Sequence, residues 1–213
     1  SGAQVKFAAI DRLGENVTAY ISRRGKLGND ASIDWAIAVM NEGNVIADFD
    51  SDLLGNGSHA DLKAIALSSG RQIQGIDTRV TNYGCNSIGN ILQHGVILEK
   101  ATLTFNGIGH IIKGAKGADA QQESRVLMLS DQARSDANPI LLIDENDVTA
   151  GHAASIGQVD PEDMYYLMSR GLDKATAERL VVRGFLGSVI VEIPVKEVRD
   201  EMIATIEEKL SKR

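Results

Sequence analysis

Short runs of alternating apolar and polar residues fill the first three quarters of the chain. Clear examples lie at 33–39, 62–67 and 73–80. Shorter apolar segments occur between and after these runs, at 17–21, 45–49, 96–98, 103–105, 110–112, 125–129 and 140–143. Alternation at every second residue is typical of β-strands that bury one face. The pattern therefore predicts a long series of short strands, and we interpret the polar segments 115–124 and 130–138 as loops or surface edges.

Glycine recurs at an almost fixed period through these strands. Six glycines lie 13 to 15 residues apart: Gly14, Gly28, Gly43, Gly57, Gly70 and Gly84. A constant period with turn residues at the boundaries indicates stacked repeats. A meandering β-sandwich remains an alternative, but the period and the low aromatic content of 4% favour a β-solenoid with a narrow aliphatic interior. We predict a mainly β protein built as a parallel β-helix.

The pattern changes to helical spacing near residue 160. Asp160 and Pro161 have the features of an N-cap and a first helical position, and Gly171 suits the end of that helix. Asp173 is expected to cap a second helix that runs to about residue 192, and Pro194 is expected to open a third. The chain thus divides into a β-helix core over 1–157 and a helical region over 158–213.

Composition excludes several classes of protein. The 213 residues carry a net charge of −7, one Cys and no long uninterrupted apolar stretch. An acidic chain lacks the basic stripe that nucleic acid needs, and a membrane span needs about 18 apolar residues. We therefore expect no nucleic-acid or membrane partner and a cytoplasmic location. Because the chain begins without Met and shows no secretion signal, we expect a fragment of a longer protein.

Three groups of residues are candidates for chemistry. Asp48, Asp50 and Asp52 share one face of a strand. They suit either a calcium-binding, carbohydrate-active β-helix enzyme or a plain solvated face. Cys85, at a turn, suits either a thiolate ligand or sulfur acceptor or, as is more usual for a lone Cys, a small buried apolar residue. The histidines are scattered: His59, His94 and His110 are expected to be structural or on the surface, whereas His152 lies in a segment of small residues that would leave its ring accessible.

The segment around His152 carries a resemblance to a known family. The runs 151–160 and 164–172, followed by 175–185 and the 192–194 junction, resemble the end of the core domain of the SufB/SufD family, and the Gly157-Gln158 pair is similar to the SufD-like branch. The resemblance implies a right-handed parallel β-helix and a scaffold subunit, not an enzyme, in iron–sulfur cluster assembly. It implies pairing with a SufB-like paralogue and docking of a SufC-like ATPase.

The resemblance also implies roles for particular residues. His152 occupies the family's histidine position and is expected to be a cluster ligand at the subunit interface. Many relatives have Cys where this chain has Ala150, so we expect no stably bound cluster on this chain alone and only a transient cluster in the complex. The ATPase-docking surface is expected in the helical region: Leu172, Leu180, Val181, Arg183, Gly184 and Phe185. Without its paralogue the chain is expected to form homodimers, and a purely structural interaction module, with no chemistry at His152, remains an alternative.

Overall fold

The computed structural model describes residues 1–191, 193 and 195–211, except for the side chain of Ser188. These residues form a strand-rich part followed by a helical part. The strands are β1 (Gln4–Asp11), β2 (Ala19–Leu27), β3 (Ser32–Val39), β4 (Val45–Leu53), β5 (His59–Ser68), β6 (Ile73–Asn82), β7 (Ile88–Ile97), β8 (Thr102–Ile111), β9 (Asp119–Met128), β10 (Arg134–Ile143) and β11 (Thr149–Gln158). The helices are α1 (Pro161–Ser169), α2 (Lys174–Ile190) and α3 (Lys196–Ser211).

Every strand pairs in parallel with the strand two positions along the chain. The odd-numbered strands form a six-stranded sheet, called sheet A here, in the order β1-β3-β5-β7-β9-β11. The even-numbered strands form the five-stranded sheet B. One strand from each sheet makes one turn, so the chain winds into a parallel β-solenoid of about five turns. The predicted mainly β solenoid with a helical C-terminal region is confirmed.

Stacked columns of inward-facing side chains fill the solenoid. Trp35, Leu62 and Ile91 are register partners on β3, β5 and β7, and each is at most 5% exposed. Because each turn repeats the same alternation, equivalent side chains stack above one another along the axis. Larger rings enter from sheet B, where Phe49 and Phe105 are fully buried. The stacked columns give the turns a common core that no single turn could bury.

The periodic glycines lie at the corners between strands, where successive turns stack closely. A side chain at Gly55 would collide with the backbone of Gly28 and Asn29, and one at Gly84 would collide with the backbone of Gly55. Gly57 has a φ of 65°, which residues with side chains rarely adopt. The glycine period therefore marks the corners of the solenoid, because each turn has two strands and two corners.

The loop interpretation of the two polar segments is wrong for residues 119–124 and 134–138, although β10 does lie at an edge of sheet B. Strand β9 includes residues 119–124, and β10 includes residues 134–138. Two inward-facing polar groups of β9 form hydrogen bonds inside the solenoid: Ser124 Oγ donates to Gln93 Oε1 at 2.7 Å and Gln122 Nε2 donates to the Ile140 carbonyl at 2.9 Å. Polarity failed as a loop signal because hydrogen bonds across the interior replace the usual apolar contacts. The predicted segments 103–105 and 110–112 also merge into one strand, β8.

The helices begin as the sequence predicts. Asp160 caps α1 and Asp173 caps α2 through bonds to the Glu162 and Thr176 amides. Gly171 follows α1 with a φ of 93°. Helices α2 and α3 pack on the outer face of sheet A, where apolar residues from both form one buried cluster: Ala36, Ala38, Ile65, Leu67, Val96, Val182, Leu186, Met202 and Ile206. The predicted end of α2 near 192 and the Pro194 start of α3 lie outside the described residues.

Candidate functional site

The last turn of the solenoid has no further turn stacked on it in the described residues. Among the described strands, β10 bonds only to β8 and β11 bonds only to β9, so each has one open edge. The chain leaves the solenoid after Gln158 and enters α1. Unpaired strand edges are ready to add another strand. The edges of β1 and β2 at the other end of the solenoid are open in the same way. The end formed by β10 and β11, called the open end here, is the one that also carries His152.

Inward-facing residues at the open end are exposed. Ile143 continues the inner column of Ile111, which is fully buried, yet Ile143 is 47% exposed. Ile156 continues the column of Val126 and is 42% exposed against 3% for Val126. These side chains occupy core positions, but one side of each is open to solvent because no further described strand packs on it. A partner stacked on this end would bury them.

His152 lies at the same open end. It is the register partner of Gln122, which is 5% exposed, and it continues the column that includes Trp35. His152 itself is exposed. It lines an open groove of about 530 Å³ with Asp61, Lys63, Asn90 and Glu123 among its walls. Within the described residues its ring makes no hydrogen bond, so either ring nitrogen can receive a new partner.

The carboxylate of Glu145 anchors the turn that leads into β11. Glu145 is 6% exposed and accepts hydrogen bonds from the amides of Asn146 at 2.8 Å and Gly114 at 3.0 Å. These two bonds, with Lys113 nearby, lower the pKa of Glu145 to about 2. An ionised carboxylate therefore ties the open end to the turn beneath it.

The aspartates of β4 do not form a cage for a cation. Asp48, Asp50 and Asp52 share the outer face of sheet B, but Asp52 forms an ion pair with Arg24 at 2.8 Å. Burial, followed by the charge of Asp48, raises the pKa of Asp50. In the part of the chain that the structure describes, no three His, Cys, Asp or Glu side chains come together as metal ligands would. The geometry gives the calcium-enzyme alternative no support.

Cys85 lies in a series of contacts that joins the same corner of successive turns. The Asn56 amide donates to Asn29 Oδ1 and the Cys85 amide donates to Asn56 Oδ1, at 3.0 and 2.9 Å. The Cys85 thiol continues the series by lying 3.4 Å from the Gly114 carbonyl. The residue is half-buried. Cys85 thus occupies the position that Asn29 and Asn56 occupy in the two preceding turns, and its contacts are those of a structural residue at a corner.

The other three histidines each meet a carboxylate. His59 contacts Asp61 at 3.1 Å on the same strand, and His110 contacts Asp144 at 3.1 Å. His94 is 4% exposed and lies between sheet A and α2, with Glu123 as its carboxylate neighbour. Two of these carboxylates lie more than 25 positions away in sequence, which is why spacing along the chain did not reveal the pairs.

The six residues predicted to dock an ATPase divide between two environments. Leu180, Arg183 and Gly184 are exposed on one face of α2, since residues three and four apart share a face. Leu172, Val181 and Phe185 are half-buried, and Phe185 stacks on His94 with ring centroids 5.0 Å apart. The opposite face of α2, which includes Val182 and Leu186, is buried. The apolar residues of α2 thus fall into two groups: one packs on sheet A, and the other lies on an exposed face.

Helix α1 adds apolar surface that sequence reasoning did not single out. It has no buried residue, and Tyr165, Tyr166 and Met168 are 76%, 56% and 45% exposed. A groove of about 440 Å³ runs between α1 and the end of the solenoid. The signal in the sequence is the unbroken run of apolar and aromatic residues at 164–168, which is wider than one helical stripe. No helix in the described residues is long and apolar enough to cross a membrane.

These features define a class: a parallel β-solenoid with an uncovered end, a lone histidine at that end and an apolar helical appendage. Proteins of this form are suited to assembly with other chains. The chain belongs to a known family, since the family model described as "SUF system FeS cluster assembly, SufBD core domain" matches residues 1–185. The family predicted from the His152 segment is confirmed.

Curated relatives agree with the family. The iron–sulfur cluster assembly protein SufD of Bacillus subtilis is 50% identical over 209 residues, which cover 98% of this chain and 48% of the relative. A SufBD family cluster assembly protein of Mycobacterium tuberculosis is 32% identical over 92% of this chain and 51% of the relative. One from Mycobacterium leprae is 28% identical over 91% and 22%. The chain therefore spans about half, or less, of the relatives it matches.

Proposed function

We propose that this chain is a scaffold subunit of a cytoplasmic iron–sulfur cluster assembly complex and has no enzymatic activity of its own. Family membership and the 50% identity to a protein named SufD support the class of process. The observation that carries the proposal is the position of His152, an inward-facing residue exposed at the uncovered end of a solenoid. Nothing in the described residues covers a side chain placed there, and a chain that joins at this end would cover it.

The partner at the open end is a SufB-like paralogue, and a second copy of this chain replaces it when the paralogue is absent. The open edges of β10 and β11 can add strands from the partner by main-chain hydrogen bonds. Ile143 and Ile156 supply apolar area, and burying the part of each that is still exposed is worth about 1 kcal/mol. Pairing completes a core that the chain itself leaves open.

His152 acts as a ligand of the cluster or of its iron at this interface. A neutral imidazole nitrogen is a common iron ligand, and the ring has no partner in the described residues to compete. Clusters are otherwise held mainly by thiolates, but Cys85 is the only thiol of the chain and the family's cysteine position is Ala150. The partner therefore supplies the thiolates, and the cluster resides on the complex only transiently.

The exposed face of α2 docks a SufC-like ATPase. Leu180, Arg183 and Gly184 form its centre, while Leu172, Val181 and Phe185 flank it at the boundary with the solenoid. The exposed aromatic residues of α1 add apolar surface in the same helical region. Exposed apolar surface is typical of a site of protein association.

The decisive experiment is cluster build-up in the reconstituted complex with His152→Ala. The His152→Ala variant should assemble with both partners but lose most of the absorbance that a forming cluster produces. His110→Ala is the matched control, because His110 is a half-buried histidine on the opposite sheet with its own carboxylate partner. Undiminished cluster formation in His152→Ala would contradict the ligand role, and the chain would then be an interaction module with no chemistry at His152.

A further inference from the structure

His94 joins three elements inside the molecule. It lies on β7, and its Nδ1 is 3.3 Å from the Phe185 carbonyl of α2 while its Nε2 is 3.4 Å from Glu123 Oε1 of β9. The imidazole also stacks on the Phe185 ring at 24° between planes. The side chain is 4% exposed. A buried histidine with polar contacts to a helix on one side and a strand on the other is an unusual core residue.

Both polar partners of the ring are hydrogen-bond acceptors. The Phe185 carbonyl and the Glu123 carboxylate face the two ring nitrogens from opposite sides. Arg125, on β9 with Glu123, contacts the same carboxylate through Nε at 2.9 Å from Oε1. The Glu123 carboxylate thus contacts both the His94 ring and the Arg125 guanidinium.

Glu123 connects this contact to the groove of His152. It lines the same groove, and its register partner on β11 is Ala153, next to His152. The residue before it, Gln122, is the register partner of His152 itself. A continuous series of direct contacts therefore runs from the backbone of α2 through His94 and Glu123 to the strand pair that carries His152.

We propose that His94 is a positioning residue that couples helix α2 to His152. Motion of α2 changes the Phe185–His94 contact, His94 pulls on Glu123, and β9 transmits the displacement to its neighbour β11. This inference rests on the proposed function, in which α2 docks an ATPase and His152 holds the cluster. It gives the solenoid a specific path, through β7, β9 and β11, by which an event on the helical surface reaches the open end.

Elsewhere in the described residues α2 meets sheet A through an apolar cluster, which lacks this directionality. Val182 and Leu186 pack against aliphatic residues of sheet A, including Ile65 and Val96. Apolar contacts permit sliding, whereas two hydrogen bonds and a stacked ring fix orientation. His94 is therefore the residue whose loss should separate movement of α2 from movement of β11.

The coupling is tested by NMR on the complete chain labelled at histidine rings. His94→Phe keeps an aromatic ring on Phe185 and removes both hydrogen bonds. It should shift the ring resonances of His152 and speed amide exchange in α2 about tenfold, as expected when two buried hydrogen bonds are lost.

Glu123→Gln, at a side chain that is 33% exposed, should shift the His152 ring resonances in the same direction without loosening the fold. His110→Phe, which alters a histidine–carboxylate pair away from α2, should do neither.

A second perturbation makes the test specific to coupling. Leu186→Ala loosens α2 from its buried side, so it should shift the His152 resonances in the wild-type background but not in the His94→Phe background. Unchanged His152 signals in both His94→Phe and Glu123→Gln, or equal shifts in the His110→Phe control, would overturn the inference. These readouts need no partner protein. Failure of the proposed function would instead appear as normal cluster formation by His152→Ala.

Discussion

Gln122 and His152 are register partners on the inner faces of β9 and β11, yet Gln122 is 5% exposed and His152 is exposed to solvent. One turn of the solenoid separates a core position from a surface position. The difference arises because nothing in the described residues stacks on β11. The exposure of His152 therefore follows from its place in the topology, without any change in the strand pattern that positions it.

Replacing an exposed inward-facing residue should weaken pairing without weakening the fold. Ile156→Arg puts a charge where a partner must bury apolar surface, so affinity for a SufB-like paralogue should fall at least about tenfold. The free energy of unfolding should change by about 0.5 kcal/mol or less, since the site is open to water. Isothermal titration and thermal unfolding measure the two quantities.

The matched control for this variant is Ile46→Arg. Ile46 is 58% exposed on the outer face of sheet B, away from the open end. It should leave pairing intact. If both variants weaken pairing equally, the loss reflects added charge alone and the open end is not the interface.

Leu180 and Leu186 should give opposite results, although they lie on one helix. Leu186 is fully buried, so Leu186→Ala should lower the free energy of unfolding by about 2–5 kcal/mol. Leu180 is 50% exposed, so Leu180→Ala should leave stability within about 0.5 kcal/mol and weaken binding of the SufC-like ATPase. Unfolding in urea and a pull-down with the ATPase would measure both. Equal ATPase binding by wild type and Leu180→Ala would remove this face of α2 from the docking surface.

The solenoid could be predicted well because its sequence signals are local and repeated. The glycine period marks the corners, and Asp160 and Asp173 mark the helix starts, since capping depends on neighbours within three residues. The prediction failed for β9 because the Gln122 amide and the Ser124 hydroxyl donate to residues of other strands, Ile140 on β10 and Gln93 on β7. The same limit hid the His94–Glu123 contact and the position of His152 at an uncovered end. Both depend on which strands become neighbours, and one-dimensional spacing does not record that.

Gly107 should be intolerant of a side chain, although it lies in the interior of a strand. A Cβ at this position would lie 2.7 Å from Gln122 Oε1 and 3.4 Å from Gln93 Oε1. Gly107→Ala should therefore lower the free energy of unfolding by about 1–3 kcal/mol through overpacking. Thermal unfolding with circular dichroism detects this change.

Gly75→Ala is the control for that substitution. Gly75 lies on the neighbouring strand β6, and a Cβ there would meet nothing within 4 Å. The variant should be as stable as the wild type or more stable, because alanine restricts the unfolded chain. A Gly107→Ala protein with wild-type stability would mean that the interior polar groups can rearrange freely around that position.

The Glu145 carboxylate should make the open end sensitive to acid. Its pKa is lowered from an ordinary 4.5 to about 2 by the Asn146 and Gly114 amides. A carboxylate with a lowered pKa stabilises the folded chain above its ordinary pKa, and this contribution disappears as the pH falls from about 4.5 through about 2. Glu145→Gln should therefore be less stable than wild type at pH 7, and the difference should shrink across that window, as followed by urea unfolding. Glu15→Gln, at an exposed glutamate, should track the wild type at each pH. A stability gap for Glu145→Gln that stays constant from neutral pH down through this window would show that packing, and not the charge, anchors this turn.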